Sequence, residues 1–365
     1  MLNTDSLIRQ VRRNCDISDA RHAGLYSICG LALRLRDLFK WEHGLQPWEE
    51  RAAGEVLSWI GDKESAWEDL AEHEFSDINV NGRTFDPFDV TGINAALASG
   101  NLFYGAGYAF SLKPTFFLAN LQKKNRLNGL TVYILERELA RDLLTIPAMS
   151  QSGCIVFRSE SARYFSWDQM TYVTKSGRFA LEFALNEMGI NDFGSRSRQR
   201  HFDRILGVQQ GIYIRHEAGE LTDRVFDPSL WREIIAAFPH TPVELLARTV
   251  KDLLADCGGE GPLRYIVNVK DAAALGLYMA FFGGLAKSMF SELPEAFNRF
   301  VADRDWRGIY SIVRASHKRA VDYAERLTNL FNRGKATGEL DAARHQIEAT
   351  FLPATGSNAD ATNRD

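Results

Sequence analysis

LTVYILERELARDLLTIPAMSQSGCIVF, residues 130–157, decides the fold class, because it sets strand-like runs inside a chain otherwise patterned for helices. Leu130-Thr131-Val132-Tyr133-Ile134-Leu135 and Cys154-Ile155-Val156-Phe157 are short, β-branched or aromatic, and bounded by turn-forming residues. Leu102-Phe103-Tyr104 and Thr115-Phe116-Phe117-Leu118 upstream have the same texture, so the four runs predict a small sheet. Between the last two, ERELARDLL carries the charge pattern of a surface helix, with Leu139, Leu143 and Leu144 inward and Pro147 at its end.

Upstream the periodicity is helical. From Ala23 to Trp41, Leu25, Ile28, Cys29, Ala32, Leu35, Leu38 and Phe39 recur at three- and four-residue steps, which lays one apolar stripe along a helix. Asp16, Asp19 and His22 then fall at its start, where carboxylates suit the positive end of the helix dipole. Pro47 suits a first helical position ahead of Trp48, Ala52, Val56, Trp59 and Ile60, and a third helix follows around Trp67. Trp41, Trp48, Trp59 and Trp67 are expected to wedge these helices together. Asn81-Gly82 marks a turn and Asp86-Pro87 a new element.

Downstream, FALEFALNEM ends at Gly189 and the Arg-rich SRSRQRHFDR supplies a candidate domain boundary. Thr241-Pro242-Val243-Glu244 is a capping-box helix start and Cys257-Gly258-Gly259 a stop. Leu263 to Phe290, Pro294 to Ala302, Trp306 to Phe331 and a short helix at 339–351 complete a bundle. The predicted class is α+β, predominantly α-helical, with N-terminal helices plus a small mixed sheet over 1–194 and a C-terminal helical bundle over 195–352. The tail, 353–365, has too little to bury and is expected to be disordered.

Composition narrows the function classes. Lys and Arg number 43 against 47 Asp and Glu, so the charge of −4 disfavours a general grip on nucleic acid or anionic lipid. Four widely spaced cysteines without a CxxC pair fit free thiols in a reducing cytoplasm. The N-terminus lacks a secretory pattern, and the run Ala272 to Ala286 falls short of the roughly 20 residues a bilayer span needs, so it reads as one buried core helix. No phosphate loop, no Rossmann glycine fingerprint and no G-x-S-x-G elbow is present, and neither cofactor nor metal is expected.

Three stretches are candidates for chemistry. In Gly100 to Ser111, glycines Gly105 and Gly107 permit close backbone approach beside Tyr104 and Tyr108, and Arg158 or Glu138 is a candidate for lining such a pocket. The stretch loosely resembles the glycine–aromatic loop of ADP-ribosyltransferases, in which an aromatic ring stacks on nicotinamide. That family also places a histidine or arginine on a preceding strand and a glutamate at the end of a later one. His73, Glu136 and Glu138 are of the right type here, none in the matching context. Arg196, Arg198, Arg200 and Arg204 are anion-binding candidates, the bland alternative being a solvated loop between units. His216, Glu220 and Asp223 share one face if their segment is helical, a weak set for a divalent ion or acid–base pair, with a salt-bridge network as the alternative. Gly219 speaks against a helix there.

NCDISDARHAGLYSICGLALRLRDLFKWE, LFYGAGYAFSLKPTFFLANL, ERELARDLL and TPVELLARTVKDLLAD resemble an uncharacterised bacterial family described only as an N-terminal and a C-terminal domain of unknown function. The resemblance extends to about Phe351 and implies a cytoplasmic protein, with no activity to carry over. The expectation from the residues is a soluble intracellular binding or interaction protein without catalysis, its partner a protein or a second copy of the chain. The alternative is an enzyme with its pocket at 100–111.

Overall fold

The computed structural model describes residues 3–109 and 112–352, so Phe110, Ser111 and the 353–365 tail of the sequence reading lie outside the described residues. The chain divides into two compact units, one up to Thr171 and one from Tyr172.

The first unit contains helices α1 (Thr4–His22), α2 (Ile28–Glu42), α3 (Ala53–Leu70), α4 (Val90–Leu97) and α5 (Ser159–Thr171). Strands β1 (Ile78–Val80) and β2 (Arg83–Phe85) form a hairpin whose turn residues Asn81 and Gly82 both take positive φ, the demand the Asn-Gly pair meets. The main sheet comprises β3 (Leu102–Ala109), β4 (Lys113–Leu127), β5 (Leu130–Arg141), β6 (Ala148–Gln151) and β7 (Cys154–Arg158) in the order β3-β4-β5-β7-β6. Among the described residues only the β5–β7 pair is parallel.

Helix α1 begins with the Asn3 side chain accepting from Ser6 N and buries Leu7, Val11 and Cys15 as a stripe across β4 and β5. The helix expected over Ala23 to Trp41 starts later, at Ile28, and runs to Glu42. A 3-10 turn at Ala23–Leu25 ends α1, and Ser27 caps α2 by accepting from Gly30 N. Asp16, Asp19 and His22 lie in the last turns of α1 rather than at a helix start, so the two carboxylates do not meet a positive dipole end, while His22 sits at the negative one. Pro47 is a buried turn residue and α3 starts only at Ala53. Trp41 and Trp67 are buried with Tyr164 and Leu143, Trp59 packs against the same cluster, and Trp48 meets Trp167 edge-on.

The ERELARDLL stretch is not a helix. Residues 136–141 continue β5 beyond β7 along β4, and irregularities between Leu118 and Lys123 shift the register. That shift breaks the two-residue alternation, so the apolar spacing imitates a helical one. Glu138 and Arg141, which the helix reading places on the surface, are buried in the sheet.

Among the described residues the second unit is all-helical: α6 (Lys175–Glu187), α7 (Ser195–Thr222), α8 (Pro228–Ala237), α9 (Pro242–Cys257), α10 (Pro262–Val269), α11 (Ala272–Phe281), α12 (Gly284–Met289), α13 (Glu292–Asp303), α14 (Trp306–Thr337) and α15 (Leu340–Phe351). Helix α9 is its centre and touches α7, α8, α10, α12, α14 and α15. It starts with a shifted form of the capping box: Thr241 Oγ1 accepts from Glu244 N, while Glu244 accepts at 2.7 Å from the backbone N–H of His240, one residue before the N-cap. The division of the chain falls at 171/172, ahead of the 194/195 boundary the Arg-rich stretch suggests, because α6 packs intimately on α11. A Cβ at Gly276 would stand 2.8 Å from Ala184 Cβ, and one at Gly177 would stand 2.1 Å from Ala280 O. The apolar run 272–286 is not one core helix but α11 and α12, broken at Phe282-Gly283. No described helix is long and apolar enough to cross a membrane.

Candidate functional site

Helix α7 crosses α9 at Gly219. A Cβ there would lie 2.2 Å from the Ala255 carbonyl oxygen, so only glycine permits the approach. The residues flanking the crossing at helical spacing then meet: His216 and Glu220 from α7 face Asp252 and Asp256 from α9. His216 Nδ1 is 2.7 Å from Asp256 Oδ1, and Asp256 Oδ2 accepts the Tyr278 hydroxyl of α11 at 2.7 Å. On the other side of the imidazole, Nε2 lies 3.6 Å from Glu220 Oε1, while Glu220 Oε2 takes Lys251 Nζ at 2.6 Å. Nitrogen or carboxylate atoms of His216, Glu220 and Asp252 all fall within 4.8 Å of one another. Asp252 is exposed and the other two are part-exposed, so the group opens to solvent.

The carboxylates set the protonation of the site. Burial works against a charged His216, but Asp256 and Glu220 outweigh it and raise the imidazole well above its ordinary range. Burial likewise opposes ionisation of Glu220, yet His216 and Lys251 hold it down at about 2. Glu217, one residue along, is nine-tenths buried, and its carboxyl finds no hydrogen bond or ion pair among the described residues. Burial and then the nearby Glu220 push it up to about 7. Asp223, the third member of the set read from sequence, does not join: it lies beyond the helix end and accepts from Val225 N and Phe226 N.

The other candidates fall elsewhere. Tyr104 is fully buried, its hydroxyl donating to Pro87 O at 2.7 Å, and the space a Gly105 side chain would fill is taken by the Phe117 ring. Gly107 faces Met149, and Tyr108 is exposed and stacked on Phe88 at 5.2 Å. Arg158 and Glu138 do meet, at 2.6 Å, but inside the protein, with Ser161 on the same carboxylate. Arg196, Arg198, Arg200 and Arg204 form the opening turns of α7 rather than a loop, and Arg196, Arg200 and Arg204 follow one another at four-residue steps along one stripe. Arg204 borders a cavity of about 280 Å³ with Gly207, Gly211, Pro262, Tyr265 and Asp271.

A second ionic cluster, in the first unit, is closed to solvent. Lys113 Nζ lies 2.9 Å from Asp19 and 3.3 Å from Asp142, all three fully buried, and donates to Ser18 Oγ at 2.9 Å. Ser18 in turn donates to Pro114 O, and Asp19 accepts from Leu143 N. These bonds fasten α1 to β4 and to the chain after β5. They satisfy one another and leave nothing facing a ligand.

Asp252, Asp256, Lys251 and Tyr278 are the site members the sequence reading missed. KDLLAD holds both carboxylates at a helical i, i+4 spacing. The usable signal is Asp256, a carboxylate on the inward stripe of a strongly amphipathic helix, where burial demands a partner. Tyr278 gives the same signal as the polar tip in an apolar run.

The model for the N-terminal domain of a family of unknown function, DUF6866, matches residues 6–158, and the model for its C-terminal domain matches residues 163–351. No curated protein and no solved structure matches the chain.

Proposed function

Because the chain belongs to DUF6866, a two-domain family of unknown function, we propose its role from its own geometry: a bacterial, cytoplasmic binding protein without catalytic activity, taking a small charged ligand on the α7–α9 face. One observation carries this reading, the solvent-open convergence of His216, Glu220 and Asp252, braced from behind by Asp256 and Tyr278. Rigid helices hold the group, and its outward atoms are partly free, which is how a binding site is pre-organised.

The same geometry speaks against catalysis. A general base works best with a pKa near the operating pH, and Asp256 and Glu220 raise His216 above its ordinary range, which favours a charged group there. The neighbouring thiol, Cys257, is buried and pushed up, so it offers no nucleophile. A cytoplasmic setting is supported by the four unpaired thiols, with Cys29 exposed.

Native mass spectrometry of freshly purified full-length protein tests the reading. A retained small species is expected on the wild type and lost from a Glu220→Gln, Asp252→Asn double variant. A wild type that retains nothing, or a variant that keeps all that the wild type holds, overturns it.

A further inference from the structure

We propose that the ligand of the α7–α9 face is a divalent transition-metal cation held by His216 Nε2, Glu220 Oε1 and an Asp252 carboxylate oxygen. The inference rests on the binding reading above and names the ligand class for that site.

Two features point to a metal. First, the spacing fits: two ligands about 2.1 Å from one tetrahedral ion stand about 3.4 Å apart, and His216 Nε2 and Glu220 Oε1 are 3.6 Å apart. Second, the imidazole is oriented as ligating histidines are. Asp256 takes Nδ1–H, which turns Nε2 toward the carboxylates, and Tyr278 fixes Asp256 in turn.

The chemistry of the donors selects the ion. One imidazole nitrogen with two carboxylate oxygens suits Zn2+, Mn2+ or Fe2+ better than Mg2+ or Ca2+, which favour oxygen alone. Lys251 keeps Glu220 Oε2, leaving Oε1 for the ion. With three protein ligands, a fourth position falls to water, on the exposed Asp252 side.

Chelator-treated full-length protein is titrated with Zn2+ and with Co2+ by calorimetry. One equivalent is expected, with a Co2+ visible spectrum lacking a thiolate charge-transfer band. Asp252→Asn lies on the exposed rim and keeps the fold, checked by circular dichroism. It is expected to weaken both metals at least tenfold, and Asp256→Asn roughly 10–100-fold. Absence of binding, affinities unchanged by Asp252→Asn, or a thiolate band placing Co2+ on a cysteine would each overturn the metal. If the metal fails while the Glu220→Gln, Asp252→Asn variant still loses a species retained by the wild type, the wider binding reading survives its narrower version.

Discussion

Gly219 of α7 sits against Ala255 of α9 so closely that a Cβ would stand 2.2 Å from the Ala255 carbonyl oxygen. The contact is with backbone, which cannot rotate away, so any side chain must part the helices. Gly219→Ala gains helix propensity of about 1 kcal/mol but overpacks the crossing, at a typical cost of about 1–3 kcal/mol. The expected outcome is a net loss of stability in urea, together with a weakened His216–Asp256 contact. A variant as stable as wild type would mean the crossing is looser than the geometry requires.

Lys113 is the ammonium between Asp19 and Asp142, with all three side chains excluded from water. Burial holds Asp19 up at about 7 even with Lys113 beside it, since two carboxylates share one cation. Lys113→Met leaves both carboxylates buried without that cation, and breaking such a pair typically costs about 3–5 kcal/mol. The measurement is the urea midpoint at pH 7. A loss below about 1 kcal/mol would show that water reaches the cluster.

The class of fold was legible because the strand-like runs and the capping box of α9 are local signals. Thr241 and Glu244 act through a few residues of chain, and Asn81-Gly82 through two. What stayed illegible depends on distant partners. Nothing near Glu138 or Arg141 in sequence marks them as buried, since the strand that holds them irregularly is β4 and their counter-charges lie on β7 and in one another. The site divides the same way. His216 and Glu220 are visible as an i, i+4 pair, but their carboxylate partners lie on another helix, and Gly219, which reads as a helix breaker, is what lets that helix come close.

Tyr104 and Tyr108 stand four residues apart in the glycine–aromatic stretch with opposite surroundings. Tyr104 is fully buried and donates to Pro87 O, whereas Tyr108 is largely exposed. Tyr104→Phe strands that carbonyl and is expected to lose about 1–2 kcal/mol. Tyr108→Ala is expected to stay within roughly 1 kcal/mol of wild type, losing the Phe88 stack alone. Equal effects in thermal melts would contradict the division of this stretch into an inner and an outer tyrosine.

Arg36 bridges Asp37 at 3.2 Å and Asp168 at 2.7 Å. Burial, followed by the charge of Asp37, pushes Asp168 up to about 7 despite the arginine. In the unfolded chain an aspartate titrates near 3.9, so between about pH 4 and 7 the native state binds more protons than the unfolded one. Stability contributed by this residue is therefore greatest at the acid end of the window and falls as pH rises through it. Asp168→Asn mimics the neutral carboxyl at every pH, so the variant should gain on wild type from pH 5 to pH 8, by about 2–3 kcal/mol. Asp19, shifted in the same direction, leaves a residual slope in both proteins, so the informative quantity is the difference between their urea midpoints at each pH. A difference that does not change with pH, or one that favours wild type more strongly at pH 8, would mean that the Arg36 ion pair outweighs burial and that Asp168 is ionised throughout.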